Sequence, residues 1–151
     1  MIQRKQTLFL LLVVFSALAL VMIPCNYIVH NGSTLGVSLF SLYTTELTGT
    51  VWHYTGMILD GVSLTLALIT IFLYKQRVLQ VRLCFLLMLL ELGVTLIVSF
   101  CPMVEKTEGI TSIENSGIAS IIGVIGMMSA YLAARYIKKD IELLKSADRI
   151  R

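Results

Sequence analysis

Four stretches of the chain are too apolar, and too long, for an ordinary water-soluble core. Residues 8–29 and 116–134 contain no Lys, Arg, Asp or Glu, while 55–74 and 83–100 hold one acid each, Asp60 and Glu91. Each run has about 18 to 22 residues, enough to cross a hydrocarbon layer of roughly 30 Å at 1.5 Å rise per residue. Backbone groups inside a bilayer find no water, so helices are the economical crossing structure. Only 14% of the 151 residues are charged, which excludes disorder and an ordinary soluble enzyme. The expectation is an all-α membrane protein, residues 1–151 forming one antiparallel bundle of four transmembrane helices.

Orientation follows from where the positive residues fall, because Lys and Arg in short flanks are retained in the cytoplasm. Eleven of the twelve lie on one side: Arg4 and Lys5 before the first run, Lys75, Arg77 and Arg82 in the second hairpin, and Arg135, Lys138, Lys139, Lys145, Arg149 and Arg151 after the fourth. The opposite side holds only Lys106, among Glu46, Glu105, Glu108 and Glu114. Both termini are therefore expected in the cytoplasm. Ala17-Leu18-Ala19 offers an alternative for the first run, as the end of a cleavable signal peptide. The apolar stretch continues through Ile23 to Pro24, however, which favours an uncleaved span. Pro24 also argues against Cys25 as a lipoprotein cysteine, since a small residue is wanted at that place.

The outer segment between the first two runs is rich in Gly, Ser and Thr. Strand-like stretches at 34–43 and 47–54 suggest a small β-hairpin turning at Thr44-Thr45-Glu46, with a solvated loop as the alternative. Tyr27, Trp52 and Tyr54 stand where an outer aromatic belt belongs. The eight-residue connection 75–82 requires the second and third helices to be antiparallel neighbours. Small residues recur at four-residue spacing in the fourth run, as Ala119 and Gly123, then Gly126, Ala130 and Ala134, and permit close backbone approach. A contact within one chain explains them more simply than dimerisation.

Asp60 and Glu91 are the residues most worth attention, because an acid within a span costs about 2.5 to 3.5 kcal/mol on insertion and generally faces the interior. Counting from the inner ends of the runs puts Asp60 about 21 Å and Glu91 about 12 Å deep, an offset of nearly two turns. Both carboxyls are expected to be neutral. They serve either a proton or cation relay or, more economically, as protonated groups bonded to a Ser, Thr, Tyr or carbonyl. Enzyme signatures fail. Gly61-Val62-Ser63 lacks the later glycine and a deep histidine base, and the spans hold only one aspartate. His30 and His53 lie at the outer boundary, without the spacing that metal or haem ligation needs. No cofactor is expected, and topology accounts for the basic residues without nucleic acid. Cys25 and Cys101 are possible disulfide partners if the first and third helices meet at their outer ends.

The tail at 135–151 carries Ile137, Ile141 and Leu144 at helical spacing, with Lys138, Lys139 and Lys145 on other faces. It reads as a cytoplasmic amphipathic helix lying on anionic headgroups, or docking an unidentified membrane or cytoplasmic protein.

Three motifs span the chain in order: Met1-Ile2-Gln3-Arg4 with Gln6-Thr7, the hairpin Lys75-Gln76-Arg77-Val78-Leu79-Gln80-Val81-Arg82-Leu83-Cys84, and Ile137-Lys138-Lys139-Asp140 through Ser146-Ala147-Asp148-Arg149-Ile150-Arg151. In these the sequence resembles the Bacteroidetes family known as domain of unknown function 4293. The resemblance implies a small four-helix inner-membrane protein of a Gram-negative bacterium, with a periplasmic outer face and no assigned activity. The leading functional expectation is a non-enzymatic accessory or scaffold subunit. The alternative is a small proton-linked transporter or channel component using Asp60 and Glu91.

Overall fold

The computed structural model describes residues 3–30, 32–40, 49–104 and 110–148. The first helix, α1 (Gln3–Met22), closes with the Ile23 amide donating to the Ala19 carbonyl at 2.8 Å. Pro24 has no amide hydrogen to continue the helix. The apolar run goes on, but as a strand, β1 (Pro24–His30). The expected 8–29 span is thus corrected: periodicity alone does not separate a helical from an extended apolar segment, and Pro24 decides between them.

The chain reverses through Gly32, whose φ of 82° suits glycine, into the antiparallel strand β2 (Ser33–Ser38). The expected hairpin is therefore present but shifted. Its strands flank Gly32, whereas the expected turn at Thr44-Thr45-Glu46 lies outside the described residues. A third strand, β3 (Ile110–Asn115), comes from the connection between the third and fourth helices and pairs antiparallel with the free edge of β1, giving the order β2-β1-β3. Alternation sets the faces. Ile28 is buried with Val37 and Val104, while its neighbour Tyr27, opposite Glu114, is exposed. Asn26 Nδ2 donates to Asn115 Oδ1 at 2.6 Å, and Asn115 Nδ2 donates to the Ser99 carbonyl at 2.6 Å, tying the sheet to the helix ends.

The second helix, α2 (Val51–Phe72), begins earlier than expected because Thr50 caps it. The Thr50 side chain accepts from the His53 amide and donates to the Pro102 carbonyl at 2.7 Å, and its amide donates to the Met103 carbonyl at 3.0 Å. After a tight turn, α3 (Arg77–Phe100) also starts earlier than the apolar run that signalled it. The last helix, α4 (Gly117–Asp148), is 32 residues long and takes in the described part of the expected tail, as far as Asp148, without a break.

The described residues contain four helices, mutually packed as a ring in the order α1, α2, α3, α4. Partner pairs fix their directions. Ser63 with Glu91 and Thr70 with Gln80 run in opposite senses along α2 and α3. Ser99 with Ser120 and Arg77 with Asp140 do the same for α3 and α4. Phe9 stacks on Tyr136 at 5.2 Å between centroids, joining α1 to α4 near the end of the molecule that carries the α2–α3 turn. Three helices, α2, α3 and α4, are long and apolar enough to cross a membrane; the apolar part of α1, Gln6–Met22, is shorter. Large apolar side chains face outward on all four, including Phe15, Ile58, Leu89 and Ile121, each about 60% exposed. A second apolar layer, with Leu10, Val13, Leu87, Ala130 and Ile137, fills the interior.

Candidate functional site

Polar side chains are buried at mid-height, where the four helices converge. Ser16 on α1, Ser63 on α2 and Glu91 on α3 are each at most 5% exposed. On α4, Gly126 supplies the space: a Cβ there would fall 2.5 Å from Ser16 Oγ and 2.7 Å from Glu91 Oε2. Gly123 receives Thr95 in the same manner, and Thr95 Oγ1 donates to the Glu91 carbonyl at 2.6 Å. Ala119, Ala130 and Ala134 are buried as well. The small-residue ladders of α4 thus accommodate side chains of α1 and α3 within this chain.

Ser63 Oγ stands 3.0 Å from Glu91 Oε1 and 2.9 Å from the Asp60 carbonyl oxygen. A hydroxyl has one hydrogen to give. If the Glu91 carboxyl carries a proton, it donates to Ser63 Oγ while Ser63 donates to the Asp60 carbonyl, and both contacts are satisfied. Neither carboxylate oxygen of Asp60 has a hydrogen-bond partner among the described residues, and neither does Glu91 Oε2, although both residues are fully buried. An unsatisfied buried polar group costs about 1–3 kcal/mol, more if charged.

The depth expected for Glu91 is corrected by the geometry. Since α3 starts at Arg77 rather than at residue 83, Glu91 sits about 21 Å from the Arg77 end of its helix, and Asp60 about 18 Å from the end of α2 at Phe72. The acids share one level of the interior instead of differing by nearly two turns. Hydrophobicity marked where α3 becomes apolar, whereas the backbone helix begins a turn and a half sooner. Ser63 and Ser16, absent from the expected site, complete it. An i, i+3 relation between Asp60 and Ser63 already placed those two on one face.

Around this centre the other singled-out residues separate. His53 is buried in the first turn of α2, edge-on to Tyr54, and no group of three or more His, Cys, Asp or Glu side chains is disposed for a metal among the described residues. Cys25, Cys84 and Cys101 are free thiols. Cys25 and Cys101 do belong to one apolar cluster near the sheet, with Leu39 and Met103. Burial, first of all, pushes the Cys25 thiol up to about 12, and the nearby Asp60 carboxyl adds to it against a hydrogen bond from the Leu39 backbone.

The expected free stripe on the tail is also corrected. Ile137 is fully buried in the core and Ile141 packs against it, leaving Leu144 half-exposed; Lys138 and Lys139 face outward. The Lys145 side chain, like residues 149–151, lies outside the described part. Because α4 continues without a break, its last turns pack against the α2–α3 hairpin instead of lying apart. Asp140, 7% exposed, forms an ion pair with Arg77 across this junction, Nη1 to Oδ2 at 2.5 Å. The sequence did hold a signal for it: Arg77 lies 23 residues before Phe100, and Asp140 lies 23 residues after Gly117. Antiparallel helices joined at one corner bring such positions level.

With apolar side chains facing outward and a small polar cluster enclosed in an otherwise apolar interior, the chain is a small helical protein with three helices long and apolar enough to cross a membrane. It belongs to the family described as Domain of unknown function (DUF4293), whose profile matches residues 2–150. No curated protein and no solved structure matches it.

Proposed function

We propose that this chain is an inner-membrane protein crossing four times, with both termini and the α2–α3 hairpin in the cytoplasm and the sheet in the periplasm, and that it acts as a non-enzymatic accessory or scaffold subunit. The orientation rests on the eleven-to-one partition of Lys and Arg. Although α1 has the shortest apolar segment, its 20 residues reach about 30 Å, so it spans with its polar first turn at the interface. The functional reading is carried by one observation: Glu91 is closed in on by all four helices, through Ser16, Ser63 and Gly126. A carboxyl so enclosed holds helices in register, which is what a scaffold needs.

The two unpartnered oxygens of Asp60 favour a second reading, in which the acids carry protons across the membrane. Proteoliposomes containing an internal pH dye distinguish the two. For a scaffold, an imposed pH gradient decays at the same rate with wild-type protein, Asp60→Asn, Glu91→Gln and empty vesicles. Faster decay with wild type, abolished by either substitution, would establish the transporter instead. Native-membrane affinity purification then asks whether a stoichiometric partner accompanies the chain, as an accessory subunit requires.

A further inference from the structure

At the inner end, the α2–α3 hairpin and the last turns of α4 border an open groove of about 550 Å³. Lys75, Arg77 and Arg82 line it, together with Val78, Ile141 and Leu144. Lys75 and Arg82 are exposed, whereas Arg77 is held from behind by Asp140 and is only about a quarter exposed. Asp140 neutralises one of the three cations, so the groove keeps an excess of positive charge. Gln76 caps α3 without a side-chain hydrogen bond, which leaves the positive end of that helix open toward the same place.

The walls make a second demand. Val78 is 61% and Leu144 49% exposed along the groove. A free anion would satisfy the cations and leave this apolar surface in water. An acidic peptide would meet the charge but has no reason to sit where the apolar helix exteriors begin. The ligand that matches both demands has an anionic head and a hydrocarbon body.

We propose that the groove binds the phosphate of an anionic phospholipid from the adjoining leaflet, with Lys75, Arg77 and Arg82 around the head and an acyl chain against Val78, Ile141 and Leu144. The site rests on the chain being embedded in a bilayer, and not on its orientation or on an accessory role. It also differs from diffuse attraction to a charged surface, because Lys138 and Lys139 do not line the groove and take no part.

The test is native mass spectrometry of the full-length protein in mild detergent, titrated with phosphatidylglycerol or with phosphatidylcholine of the same acyl chains. Phosphatidylglycerol is expected to remain bound preferentially. Lys75→Gln combined with Arg82→Gln should weaken it about 30-fold, as two lost surface cations imply. Leu144→Asp should weaken it too, while Lys138→Gln with Lys139→Gln should not. Each variant is checked for wild-type thermal unfolding, so a loss of binding is not a loss of fold. Equal retention of the two lipids, or unchanged binding in Lys75→Gln/Arg82→Gln, overturns the proposal. So does displacement of the lipid by inorganic phosphate at matched concentration, which would assign the cations to a free anion. Alkaline carbonate washing of membranes separates the two levels: release of the chain would remove the bilayer reading itself, whereas retention without lipid preference removes only the groove.

Discussion

Glu91 Oε1 and Ser63 Oγ lie 3.0 Å apart, and the same hydroxyl is 2.9 Å from the Asp60 carbonyl oxygen, so one side chain links α2 to α3 in the interior. Ser63→Ala removes the link and leaves Glu91 Oε1 without it, at an expected cost of about 1–3 kcal/mol. Glu91→Gln keeps a donor at that position and should unfold near the wild-type temperature. Thermal unfolding in detergent checks both; a Glu91→Gln protein as unstable as Ser63→Ala would mean that Glu91 is ionised and paired.

Gly126 is the point where α4 admits α1 and α3. A methyl group there meets the flexible end of Glu91, which can turn away, and the short side chain of Ser16, which cannot; its Cβ would be 3.2 Å off. Gly126→Ala is therefore expected to destabilise by about 1–3 kcal/mol, and Ser16→Gly in the same chain should recover part of that loss. Melting temperatures of the two single variants and the double variant decide whether the contact is shared.

Beside the α2–α3 turn, Arg77 and Asp140 couple α3 to α4. A charge-assisted bond to a carboxylate only 7% exposed should show a coupling of about 1–3 kcal/mol. The cycle Arg77→Gln, Asp140→Asn and the pair together measures it by chemical or thermal unfolding. Asp140→Asn is expected to be milder than Arg77→Gln, since the latter leaves a carboxylate buried without its partner.

Cys25 supplies a pH dependence. Its thiol, normally near 9, is held up to about 12 in the folded protein, so the fold favours the protonated form. That contribution is complete below pH 9 and is lost as the pH rises from 9 toward 12. Wild type should lose stability over that range more steeply than Cys25→Ala. At pH 8 Cys25 should also react with a small thiol reagent about a thousandfold more slowly than an unperturbed exposed cysteine. A mass change on reduction, present in wild type and in Cys84→Ser but absent in Cys25→Ser, would reveal a bond to Cys101 instead.

The proposed topology is checked by cysteines introduced at Ser33, Gln76 and Ser146, all exposed, in a chain whose native cysteines are replaced. In intact cells with a permeabilised outer membrane, a membrane-impermeant reagent should label the first and spare the other two. Labelling at Gln76 from outside would reverse the orientation.

The apolar runs determined the three long helices, and the short connection after α2 determined that α2 and α3 pair antiparallel, because both follow from local hydrophobicity and chain length. Even the intramolecular use of Gly123 and Gly126 was legible, since small residues at that spacing have few other purposes in an apolar helix. What followed Met22 was not legible: Pro24 ends α1, but the choice of a strand depends on β2 and β3 being there to pair with it, and β3 is more than 80 residues away in sequence. The level of Glu91 was missed because apolar composition marks where a helix can meet hydrocarbon, not where its backbone hydrogen bonds begin. The closure around it needs Ser16, Ser63 and Gly126 from three other helices, and the inner groove needs α4 to run on past the hairpin. No residue carries such a juxtaposition in its own identity; packing alone decides it.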